Sequence, residues 1–100
     1  MINGKDNPVE WAMMSYNLEE VVEHLQELSN LVIPDASIDE EEFKVYMGHI
    51  YAHLNRIWNQ RNHIGDISDE QLEQYSEFPV DIKFYDWHCI QFDSLKTNCN

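Results

Sequence analysis

Glycine and proline are scarce in this chain, with 3 of each in 100 residues. Strand-and-turn sandwiches, loop-rich scaffolds and disordered chains need more of both. A hydrophobic fraction of 43%, with 12% aromatics, points instead to a packed domain. Bases are few: 6 lysines and arginines face 19 aspartates and glutamates, a net charge of −13. Such a surface repels phosphate, which argues against nucleic acid as a partner and makes a basic protein the natural complement. Only 2 cysteines occur, Cys89 and Cys99, at no zinc or redox spacing. No apolar run approaches the ~20 residues of a membrane span. The opening MINGKDNPVE has no apolar signal-peptide core, and the closing KTNCN is no prenylation box. The expected setting is cytoplasmic and reducing, with no membrane contact. Also missing are a Gly-rich phosphate loop, G-x-S-x-G, Ser-x-x-Lys and any paired Asp/His arrangement. The chain is therefore expected to be no enzyme and to carry no cofactor.

What is present is helical grammar. After a lead-in expected to be frayed over residues 1–6, NPVE offers a cap (Asn7), a proline for the first helical position (Pro8) and a capping-box carboxylate (Glu10). Trp11, Met14, Leu18, Val21, Leu25, Leu28 and Val32 follow at alternating spacings of three and four, a heptad seam. Glu19, Glu20, Glu23 and Glu27 fall away from it, toward solvent. Pro34 disfavours helix at Ile33 and ends the element near residue 32. SIDE repeats the capping pattern with Ser37 and Glu40, and a second seam runs Phe43, Met47, Ile50, Leu54 and Ile57, widened by Tyr46, Tyr51 and Trp58. Gly65 closes that region. Ser68 to Gln71 forms a third capping box, opening a short helix that stops before Pro79.

Matching seams and a short connection predict an all-α fold: an antiparallel hairpin of helices over about 8–32 and 38–63, with a short helix over about 69–77. Val80, Ile82 and Phe84 alternate with polar neighbours. With nothing to pair against, residues 80–100 are expected to form an extended arm and tail, within one domain spanning 1–100. Leu18, Val21, Leu25, Met47, Ile50 and Leu54 are the expected core. Tyr46, Tyr51, Trp58 and Met13 need a further cover, supplied by the arm, the third helix or a second copy, so a homodimer is one expectation.

Chemistry concentrates in HIYAHLNRIWNQRN, residues 49–62. His49 and His53, four apart, share a helix face as metal-ligating pairs do. Ile50 breaks the zinc-protease pattern, no Glu-x-x-His occurs, and Glu42 is too far along the helix to close a site. The pair therefore reads as boundary histidines, with no metal. Arg61 is expected to stack on Trp58 or pair with an acid of the third helix. Asn55, Asn59 and Asn62 are expected to bond backbone in the arm or the 63–67 loop. Glu23, Glu27, Asp39, Glu40, Glu41 and Glu42 should form a negative pole, which the helix dipole explains only for the first-turn acids. The function expected is that of a non-enzymatic interaction protein binding a basic partner through this pole, in the manner of an inhibitor or immunity protein of a basic toxin or nuclease. The alternative is a metal- or ligand-binding protein centred on His49 and His53 with Arg56, Trp58, Arg61 and the Asn/Arg segment 55–62.

Overall fold

The computed structural model describes residues 1–84. It contains three helices, α1 (Pro8–Asp35), α2 (Glu40–Asn59) and α3 (Asp69–Tyr75), with no strand among the described residues. The long helices form an antiparallel hairpin and α3 packs on α2. Residues 80–84 belong to no regular element, and the rest of the expected arm, with Cys89 and Cys99, lies outside the described residues.

Local grammar works best at α3, where the Ser68 hydroxyl accepts from Gln71 N and the Gln71 side chain accepts from Ser68 N. Asp39, not Ser37, caps α2 by accepting from Glu41 N at 2.8 Å. Pro8 takes its expected place at the start of α1, but Asn7 makes no side-chain cap. Its Oδ1 accepts from Asn3 N, and Glu10 is drawn away to Gly65 N, so the capping box fails. Nor are residues 1–6 frayed: Ile2 is 5% exposed and its N–H donates to Arg61 O at 2.8 Å, tying the lead-in to the end of α2.

Two boundaries move. α1 runs through Pro34 to Asp35, because a proline in the last turn forfeits only one intrahelical donor and Ala36, in the left-handed region at φ 55°, closes the turn onto Val32 O. α2 ends at Asn59, short of residue 63. Asn59 Nδ2 donates to the carbonyls of Tyr75 and Glu77, and Asn55 Nδ2 to that of Ser76, so these amides fasten the end of α3.

The core is rotated from its expected axis. Val21, Leu28 and Ile50 are buried, with Val32, Ile38, Tyr46, Met47 and Ile57 packed around them. Leu18, Leu25 and Leu54, expected inside, are 53%, 47% and 41% exposed. Polar residues take the inner places instead: Asn17 and His53, each 4% exposed, join by a 2.7 Å bond between Oδ1 and Nδ1. A single facing helix covers only part of a wide apolar stripe. The pairing of two buried polar groups that would otherwise be orphaned favours this rotation over the purely apolar one.

This rotation gives the hairpin two unlike sides. At about 100° per residue, Leu18 and Leu25 on α1 and Phe43 and Leu54 on α2 are offset in the same rotational sense from the buried axis. In an antiparallel pair that puts them on one side. Glu20, His24, His49 and Arg56 are offset the opposite way and occupy the other.

Candidate metal centre

Two i,i+4 pairs face each other across the polar side: Glu20 and His24 on α1, His49 and His53 on α2. His53 Nε2 lies 3.2 Å from His49 Nε2. His24 sits edge-on to His49 with ring centroids 4.3 Å apart, and its Nε2 is 3.0 Å from Glu20 Oε2. Its Nδ1 is 3.4 Å from Glu27 Oε2. One ligand atom from each of Glu20, His49 and His53 lies within 4.8 Å of the others. Burial is graded, with His53 buried, Glu20 half-buried and His49 exposed, so the cluster opens to solvent on one side.

The hydrogen-bond chain sets the tautomer of His53. Asn17 Nδ2 donates to Met13 O at 3.2 Å, which leaves Asn17 Oδ1 to accept. His53 Nδ1 must then donate to it, and in the neutral ring Nε2 carries the lone pair, aimed at His49. Burial, reinforced by the neighbouring His49 and Arg56, holds His53 below its ordinary value of 6.5 and so favours the neutral ring. Around tetrahedral zinc, Zn–N bonds of 2.0–2.1 Å set adjacent nitrogens about 3.3–3.4 Å apart. The observed separation is close to that. The Glu20 carboxylate also pushes the nearby Tyr16 phenol up, chiefly through its charge.

On α2 alone no further ligand stands near His49 and His53, which is why the pair reads from sequence as metal-free. The structure brings Glu20 and His24 from the other helix, and Glu20 and Glu27, expected to face solvent, both bond His24. The signal was present as E-x-x-x-H in α1 and H-x-x-x-H in α2, but only the antiparallel register matches them.

The remaining candidate residues scatter. Glu23 is exposed on the outer face of α1, turned away from α2, where it rims a shallow groove with Leu18, Glu19, Val22, Gln26, Glu27 and Asn30. Asp39, Glu40, Glu41 and Glu42 are exposed at the start of α2. Arg61 stacks on Trp58 as expected, with its guanidinium carbon 3.8 Å from the ring centroid, but pairs with Asp81 at 3.5 Å and not with α3. The Trp58 indole also donates to Asp81, and Phe78 meets Tyr51 edge-on at 5.1 Å, so the segment after α3 covers part of the aromatic face. Arg56 donates from Nε to Ser76 Oγ. No family model, curated protein or solved structure matches the chain. No helix among the described residues is long and apolar enough to cross a membrane.

Proposed function

We propose that this chain is a metal-binding helical protein that holds one divalent transition-metal ion, of the zinc class, through Glu20, His49 and His53. His24 stands beside them as a fourth donor or as the group that orients Glu20. The observation that carries the reading is the opposed pair of imidazole nitrogens, 3.2 Å apart, with the His53 tautomer fixed from behind by Asn17. Such outer hydrogen bonds orient ligating histidines in metalloproteins generally. Imidazoles with a carboxylate suit zinc, copper, nickel and iron over magnesium or calcium.

The test is competition titration of tag-free, metal-stripped protein with zinc, and with cobalt for its visible spectrum. One ion per chain is expected, with His49→Ala and His53→Ala each weakening binding at least tenfold and Asn17→Ala by about tenfold. Absent stoichiometric binding, or binding indifferent to both histidines, would overturn the reading.

A second reading, the acidic interaction protein, is favoured by one observation: the groove at Leu18 and Val22 is rimmed by Glu19, Glu23 and Glu27. That arrangement suits a basic amphipathic helix from a partner protein. A second copy of the chain would bring like charges together.

A further inference from the structure

We infer that a second site, distinct from the Glu20, His49 and His53 cluster, takes a small amphipathic carboxylate: an apolar body carrying one carboxylate group. The site is a cleft of about 460 Å³ between the lead-in, the start of α1, the end of α2 and the loop before α3. Ile2, Val9, Met13, Met14, Ile57 and Ile67 supply apolar walls. Its volume lies in the range of small-molecule sites, and a few convergent polar groups on an apolar lining are their usual composition.

The polar lining decides the ligand. Two acids belong to the lining: Glu10, which accepts from Gly65 N at 3.0 Å, and Asp66, which is exposed to solvent. His63 is occupied at both nitrogens, by the Tyr75 hydroxyl and Asp66 O. Gln60 is different: it is 8% exposed, yet its side-chain amide has no hydrogen-bond partner among the described residues. The amide keeps some contact with solvent, and Gln60 is among the residues that line the cleft. Arg56, one helical turn earlier on the same face, spends Nε on Ser76 Oγ and pairs with no carboxylate among the described residues. Two donors at i and i+4, one of them a guanidinium, form a receptor for a carboxylate at the end of an apolar cavity. In a chain of net charge −13, a guanidinium that shares its cleft with Glu10 and Asp66 and pairs with neither needs a reason. A bound anion supplies one.

The test uses the full chain with [13C-methyl]methionine, titrated with octanoate, octanol or octylammonium, with and without a chelator. Met13 and Met14 line the cleft, whereas Met47 packs in the hairpin core, so one spectrum contains both site and control. Octanoate should move the Met13 and Met14 signals saturably and leave Met47 in place, whether or not metal is present. Arg56→Gln should weaken octanoate at least tenfold and octanol less than threefold, and Gln60→Leu should weaken octanoate at least threefold. The site is refuted by any of three results: no shift at Met13 and Met14 with millimolar octanoate, binding of octanol or octylammonium as tight as octanoate, or octanoate affinity within twofold of the parent in both variants. Because the chelator is varied independently, loss of the metal reading leaves this one standing, and the reverse.

Discussion

His53 is held on all sides by specific partners, and its chemistry follows from them. Its Nδ1–H donates a hydrogen bond to Asn17 Oδ1, its Nε2 faces His49, and burial keeps the ring below its ordinary value of 6.5. A base whose folded value lies below its unfolded value takes up protons more readily when the chain unfolds. Stability from His53 is therefore complete above about pH 6.5 and is lost as pH falls from there through the lowered folded value. Urea midpoints of metal-free protein should drop between pH 7 and 5, and His53→Gln should flatten that drop. A parent profile as flat as the variant's would contradict it. Asn17→Ala leaves the buried Nδ1–H without an acceptor and should cost about 1–3 kcal/mol by denaturation at pH 7.

At the scale of the elements, the rotation of α1 against α2 makes opposite demands on neighbouring leucines. Leu28→Ala and Ile50→Ala should each cost about 2–5 kcal/mol, as buried truncations do. Leu18→Ala, Leu25→Ala and Leu54→Ala, at half-open positions, should each cost less than about 1 kcal/mol. Equal costs across both sets would return the hairpin to its purely apolar seam. Ser68→Ala removes the α3 cap and should cost about 0.5–2 kcal/mol. The elements themselves were legible in the sequence because helix starts are local: Pro8 and Ser68 act on backbone within a few residues, although Asp39 takes the cap expected of Ser37 and both long helices stop elsewhere than expected. The helix faces were not. Asn17 and His53 lie 36 residues apart, and which face turns inward depends on their pairing. Pattern reading also counts leucines as core wherever they repeat, whereas one facing helix can cover only a narrow stripe. The same limit hid the histidine cluster, half of which belongs to each helix.

For the whole molecule, the hairpin divides its labour by side. Half-exposed leucines and Phe43 lie on one side and the histidine cluster with Arg56 on the other, while the acid-rimmed groove runs along the outer face of α1 and asparagines fasten α3 at the end. An ion bound to the folded state alone raises stability by about 2.7 kcal/mol at a concentration of 100 Kd. Zinc should accordingly raise the thermal midpoint of the parent but not of a His49→Ala/His53→Ala double variant, measured by calorimetry. Should a basic partner occupy the groove on α1, its association rate should fall steeply with salt, and Glu23→Lys with Glu27→Lys should slow association more than dissociation. A salt-independent rate would assign the acids to solubility.

The backbone bond from Ile2 to Arg61 joins residues further apart in sequence than any contact between the two histidine-bearing turns. Closing a longer loop costs more chain entropy, so the hairpin should zip outward from the turn at Ala36 to Asp39, with the lead-in docking last. Opening would follow the reverse order. The Ile2 amide should then exchange its hydrogen for solvent deuterium well before the amides around Val21 and Ile50. The carboxylate cleft, one wall of which is Ile2, would breathe while the histidines remain closed together. One end of this molecule would admit and release; its middle would hold.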